Sequence, residues 1–307
     1  MAKQERWGKK HIDDRDWKRV NEELVVRGEF LLNLRWVEHW DWELAKMNNV
    51  KRGHPFEFPE SLIEFQAVLS QWIDCRGLEG VTRRLVMYTT LPKYNDYSTI
   101  NRRINKVDTT LILPKEGLIS VACDGSGMKR TNDGEYKHSM YGQGRKKYLK
   151  VIITANPHTK KLLCIEVNIE GDGPSEATAA QNHILELIRD GYTIDAFYGD
   201  GGLDAIDLWL LLEQYNIAPV IKPDRNAVDD GESVSRNSAV KFIANYGYKA
   251  WAKKRKYGMR WPGTEGEFSA VKRKFGDSTR AQKLENMCHS IKLKFWAYDR
   301  MQQYAMM

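Results

Sequence analysis

The sequence predicts an α/β protein, a mixed sheet flanked by helices and preceded by an all-α N-terminal region. Three observations predict it. Residues 1 to about 112 carry helix-period apolar patterns broken by proline and glycine clusters. From "GLISVACDGSG" onward the texture turns to β-runs, first three strands and then strand and helix in alternation. Two of those β-runs end in an aspartate followed by glycine, "ACDGSG" and "YGDGG".

Taken in order, residues 1 to about 50 read as helical and rich in tryptophan (Trp7, Trp17, Trp36, Trp40 and Trp42). "HPFEFPES" interrupts with Pro55 and Pro59, and Ser61 is the expected N-cap of the next helix. Three short helices are expected at 61–73, 77–88 and 97–106. The last puts Ile100, Ile104 and Val107 on one face and points Arg102, Arg103 and Lys106 elsewhere. Two readings of this unit stand: a helix-turn-helix-like DNA reader over about 57–107, or a solvated charged face on an ordinary helix.

After "LPKEG", "GLISVACDGSG" is an apolar strand ending in a carboxylate, and "KKYLKVIITANPHTKKLLCIEVNIEG" is a hairpin turning at "NPHTK". "SEATAAQNHILELIRDG" is a helix that Ser175 caps and Gly191 ends. "TIDAFYGDGG", "LDAIDLWLLLEQYNI" and "APVIKP" follow as strand, helix and strand, then a polar stretch of about 223–260 precedes a last amphipathic helix. In this order the first strand can sit centrally, which is the order of a ribonuclease H-like fold.

Composition narrows the class. At 307 residues, 42% apolar and 29% charged, the chain can bury one or two full cores and is not a disordered polymer. No apolar run approaches the roughly 18 residues that span a bilayer, so no membrane partner is expected. "MAKQERWGKK" has no apolar segment behind its charges, so no signal peptide and a cytoplasmic location are expected. Cys75, Cys123, Cys164 and Cys288 form no CxxC pair, and the histidines show no HExxH or HxxxH spacing, which argues against zinc. A net charge of +7 favours a polyanionic partner. The excess concentrates between Lys253 and Lys274, where eight Lys or Arg face two Glu.

Asp124 and Asp200 close the first and fourth strands, and ligands bind at strand ends in α/β sheets. Either aspartate alone is an ordinary turn former before glycine. Together with a third acid from an adjacent helix they would form a cage of hard oxygens suited to two Mg²⁺ ions. Two such ions about 4 Å apart serve phosphoryl transfer. The third acid would come from "GTEGEFSAVKRKFG", whose helical stripe is Phe268, Val271 and Phe275. Glu265 and Glu267 fall on opposite flanks of that stripe, so one can face the aspartates, and periodicity does not say which. Lys272, seven residues after Glu265, lies on the same flank as it.

Tyr257, Arg260, Glu265 and Lys272 resemble the YREK signature of DDE insertion-sequence transposases, with four residues between Arg and Glu instead of three. "DWKRVNEELVVRGEF", "FPESLIEFQAVLSQWIDCRGLEGVTRRL" and "LPKYNDYSTINRR" resemble N-terminal blocks of a large bacterial and archaeal family of such transposases. "ACDGSGMK", "GRKKYLKVIITANPHTKKL", "YGDGGLDA" and "VIKPDRNA" resemble its catalytic blocks, in order.

The resemblance implies a helical DNA-binding and dimerisation region at 1–112 and a ribonuclease H-like catalytic domain at 113–307 with a short basic insertion at about 223–260. It implies Asp124, Asp200 and Glu265 as catalytic and metal-binding triad, two Mg²⁺ ions that Mn²⁺ can replace, and double-stranded DNA, transposon ends and target, as partner. A homodimer holding two ends is implied as well. Lys272 and Arg260 would hold phosphates. Tyr257 would stack on or brace the DNA, core packing being the other reading. Arg102 and Arg103 would contact DNA from the N-terminal region. Glu267 is then expected on the helix surface, and Asp204 and Asp207 as surface or capping charges. A retired copy that binds ends without cutting, and a structure-specific nuclease on the same fold, are the rival readings.

Overall fold

The structure is a computed structural model and describes residues 15–113, 117–130, 140 and 147–306. Trp7, the N-terminal charged segment and the opening of the "GRKKYLK" block lie outside the described residues.

The N-terminal region is helical as expected. Helix α1 (Trp17–Glu29) is capped by Asp16, and α2 (Trp40–Asn48) follows two short 3₁₀ turns. Helices α3 (Glu60–Leu69), α4 (Cys75–Tyr88) and α5 (Tyr97–Ile104) occupy the three predicted places. Asp74 and Asp96 cap the last two by accepting from backbone N–H groups left free in the first turn. Ser61 is not the N-cap. Pro59 takes that position, and the Glu43 carboxylate accepts from the Ser61 N–H (2.9 Å) and hydroxyl (2.6 Å), so a side chain from α2 does the capping.

Strands β1 (Leu118–Arg130), β2 (Leu149–Ala155) and β3 (Leu162–Ile169) pair antiparallel in sequence. The β2–β3 turn is closed by Asn156, whose side chain accepts from His158 and Thr159 N–H. Helix α6 (Glu176–Arg189) starts at Ser175, which accepts from Thr178 N–H at 3.1 Å, and ends before Gly191 at φ +93°. Strand β4 (Thr193–Gly199) and strand β5 (Ala218–Ile221), joined by α7 (Ile206–Gln214), lie parallel to β1. The order β3-β2-β1-β4-β5 puts β1 at the centre, as a ribonuclease H-like sheet requires.

Alternation along β1 sorts its residues between two covered faces. Ile119, Val121 and Cys123 pack under α6 and α7 with Phe197, Leu208 and Trp209. Ala122 and Met128 point the other way. The polar stretch 223–260 begins as an irregular run and then forms α8 (Val234–Tyr246) and α9 (Tyr248–Lys254), and Trp251 packs on Ala122, Tyr198 and Val220. The remainder of that face is covered by a turn α10 (Arg260–Gly263), α11 (Glu265–Phe275) and the long α12 (Leu284–Met306), with a two-residue strand β6 (Ser278–Thr279) between the last two. The same apolar cluster continues into Ile63, Leu78 and Ile100 of α3, α4 and α5, so one core runs across residue 112.

Asp204 is not a surface group, because its side chain is fully buried. It accepts both Arg236 nitrogens (2.8 and 2.9 Å), the Trp209 indole N–H and the Asp224 N–H. Burial alone would raise its pKa, but these hydrogen bonds and the Arg236 charge hold it below the usual carboxylate value. The bidentate pair ties α8 to the loop after β4. No helix among the described residues is long and apolar enough to cross a membrane.

Candidate active site

Parallel pairing of Ala122 with Tyr198 sets the register of β1 against β4. Asp124 and Asp200, each two residues further on, therefore meet at one edge of the sheet. Asp200 caps a 3₁₀ turn and accepts the Gly202 N–H at 2.9 Å. Asp124 accepts the Gly125 N–H at 2.8 Å. Burial pushes Asp124 up to about 6, and the charges of Asp200 and Glu265 add to the rise against the Gly125 N–H and Arg260.

Glu265 opens α11, directly after a break in the helix. Thr264 (φ −108°, ψ −70°) separates the Arg260–Gly263 turn from α11, and its hydroxyl bonds back to the Arg260 carbonyl at 3.0 Å. In a continuous helix, residues five apart would sit on different faces. The break lets Arg260 Nη1 come within 3.4 Å of Glu265 Oε1 in spite of the four-residue spacing. The Arg260 guanidinium also lies over the rings of Tyr257 (5.1 Å) and Trp261 (5.6 Å). Tyr257 is buried, packed on Tyr248 and Trp251, and burial pushes its hydroxyl up to about 12. In this structure it braces Arg260 from within the core.

Lys272 lies two turns beyond Glu265 and donates to Ser126 Oγ at 2.7 Å. Ser126 is two residues past Asp124 and so on the same side of β1. Burial, helped by nearby Lys129, lowers the Lys272 pKa against the pull of Asp277. The structure thus brings Asp124, Asp200, Glu265, Arg260, Tyr257 and Lys272 together. Arg102 and Arg103 sit apart from them on α5. Arg102 is exposed, whereas Arg103 pairs with Glu60 at 2.6 Å and donates to the Phe58 carbonyl.

Glu267 is corrected from a surface group to a core group, only 4% exposed. Its carboxyl is pushed up to about 8 by burial and by Asp299, against Arg27, Lys161 and Gln302. α11 is covered on that flank by α1 and α12, which a reading of α11 in isolation had no means to place.

The sheet edge holds a further acid that is not among the residues expected from the sequence. Glu176, in the first turn of α6, reaches it from the opposite face. A Cβ on Gly125 would fall 2.5 Å from Glu176 Oε1, and one on Gly202 would fall 3.2 Å from Glu176 Oε2 and 3.1 Å from Asp200 Oδ1. The available signal was an acid directly after the N-cap of the first helix following three strands. The buried thiol of Cys123, pushed up to about 12 chiefly by burial, also feels Asp124, Glu176 and Asp200 together.

These donors are all hard oxygens, and the two glycines leave a side-chain-free cradle between them, so the residues fit a divalent cation such as Mg²⁺. As they stand, no three His, Cys, Asp or Glu side chains among the described residues are gathered tightly enough to hold one ion. Like charges repel, and Glu265 pairs with Arg260.

Similar solved structures include a Drosophila P element transposase strand transfer complex, 12% identical, with a TM-score of 0.34, covering 87% of this chain and 70% of that one. A Mos1 strand transfer complex is 9% identical, with a TM-score of 0.24 and coverage of 83% and 80%. Two family models, each described as a transposase DDE domain, match residues 25–133 and 117–299. The second match alone spans more than half of the chain, which therefore belongs to the DDE transposase family.

Proposed function

We propose that this transposase serves an insertion sequence: it binds the terminal inverted repeats, cuts the DNA at each end and joins the freed ends to target DNA. The observation that carries this reading is the meeting of Asp124 and Asp200 on adjacent parallel strands beside the helix that Glu265 opens. Water attacks the phosphodiester at the transposon end, breaking a P–O bond and freeing a 3′-hydroxyl. That hydroxyl then attacks a target phosphodiester, so one P–O bond forms as another breaks.

Asp124, Asp200 and Glu265 would hold two Mg²⁺ ions, or Mn²⁺ in their place, which when bound would activate the attacking oxygen and stabilise the leaving one. The protein's own part is positioning. Hydrogen bonds from Gly125 and Gly202 fix the two aspartates, and Arg260, braced by Tyr257, restrains Glu265. Lys272 and Arg260 supply positive charge to the phosphates of the end being cut. Residues 1–112 bind DNA and dimerise, with exposed Arg102 on α5 toward the duplex; Arg103 is held by Glu60 and the Phe58 carbonyl and would have to leave them to reach DNA. Two copies hold two ends.

The test is cleavage and joining on DNA carrying the gene's own flanking sequence, with and without Mg²⁺. Wild type and Glu267→Gln should cut and join. Asp124→Asn, Asp200→Asn and Glu265→Gln should bind the ends and do neither. Cleavage by Glu265→Gln would overturn the triad. Binding by all variants with cleavage by none would make the chain an end-binding protein.

A further inference from the structure

Glu176 occupies a place at the sheet edge that an ordinary first-turn acid would not need. A helix N-terminus accepts any acid for its dipole, and such an acid normally points into solvent. Here the side chain is about three-quarters covered, and each carboxylate oxygen lies against a glycine close to a triad aspartate. Oε1 fills the position a Gly125 side chain would take, and Oε2 shares the space beside Gly202 with Asp200 Oδ1. Any larger residue at 125 would push Glu176 away from the edge. Glu265, by contrast, stands on the other side of the aspartates, more than half exposed and paired with Arg260.

We propose that Glu176 is a fourth carboxylate of the metal site, a direct ligand that approaches from the α6 face while Glu265 approaches from the α11 face. The proposal rests on the reading of Asp124 and Asp200 as metal ligands. Hard cations held at this edge would take carboxylate oxygens along with water and phosphate, and Glu176 offers such an oxygen from the face opposite Glu265. Lys150 Nζ, 3.1 Å from Glu176 Oε1, competes for the same carboxylate. Freeing the carboxylate from Lys150 should therefore not weaken cation binding.

The experiment is Mn²⁺ titration of the full chain without DNA, with free Mn²⁺ followed by its paramagnetic resonance signal. Wild type, Glu176→Gln, Lys150→Met and Asp124→Asn are compared, each checked for folding by its metal-free melting curve. Glu176→Gln should weaken Mn²⁺ binding by about tenfold or more, as expected on loss of one ligand charge. Lys150→Met should bind Mn²⁺ at least as tightly as wild type. Unchanged affinity in Glu176→Gln, with binding lost in Asp124→Asn, would overturn the role of Glu176 and leave the site itself standing. Absence of binding in wild type, or an Asp124→Asn affinity equal to wild type, would overturn the metal-site reading and this proposal with it. Independently of any variant, Fe²⁺-generated hydroxyl radicals should cut the wild-type backbone near residue 176 as well as near 124 and 200. Cuts at the two aspartates alone would overturn the proposal.

Discussion

Replacing Glu267 by glutamine should stabilise the protein at neutral pH, an uncommon result for a change in a core. Glu267 is 4% exposed, and its Oε1 has no hydrogen-bond partner among the described residues. Burial and Asp299 favour the neutral acid, Arg27, Lys161 and Gln302 oppose it, and the balance puts its pKa at about 8 against 4.5 in the unfolded chain. The raised value gives the sign. Below pH 4.5 both states carry the proton and the group is neutral in its effect. From there up to pH 8 the folded chain keeps a proton that the unfolded chain has released, so stability falls as pH rises. The slope approaches ~1.4 kcal/mol per pH unit, which by pH 7 amounts to a loss on the order of 3 kcal/mol. Glutamine has the shape of the protonated acid and no such loss. Urea denaturation of wild type and Glu267→Gln near pH 5 and near pH 8, followed by circular dichroism, measures the difference. The variant should gain little at the acid end and on the order of a few kcal/mol at the alkaline end. A variant that is less stable than wild type at pH 8 would show Glu267 to be ionised and held by Arg27 and Lys161, and would refute the reasoning.

Asp204→Ala should cost about 1.5–3 kcal/mol, because it removes charge-assisted hydrogen bonds to a half-buried Arg236 guanidinium; thermal melting checks this, and a loss under about 0.5 kcal/mol would refute it. Lys272→Ala should weaken binding to the transposon ends and flatten the salt dependence by about 0.9 in log–log slope, the share of one phosphate contact; an unchanged slope would remove Lys272 from the DNA interface. Gly125→Ala should shift the melting temperature little, since the atom it meets is the mobile end of Glu176, yet it should weaken Mn²⁺ binding by displacing that carboxylate. Wild-type Mn²⁺ affinity in Gly125→Ala would count against the cradle.

The sequence by itself determined the order of elements and the placing of Asp124 and Asp200 at strand ends, because these depend on local information. Period-two and period-3.6 patterning, capping residues such as Ser175, and an aspartate–glycine pair at a strand end are all written within a few positions of each other. That order allowed β1 to sit at the centre, but a three-strand meander leaves the outer edges of both β1 and β3 free, and the structure put β4 on β1. What only the tertiary structure decided is which element covers which flank. Periodicity placed Glu265 and Glu267 on opposite sides of one stripe, but the packing of α1 and α12 buried Glu267 and left Glu265 at the sheet edge. Arg236 and Asp204 are 32 residues apart, and no local pattern records their meeting; the place of Glu176 after an N-cap is local, but its reach to the aspartates across the sheet is not. Such contacts arise when distant segments exclude water from the same space, and their energy belongs to the pair and not to either stretch of chain.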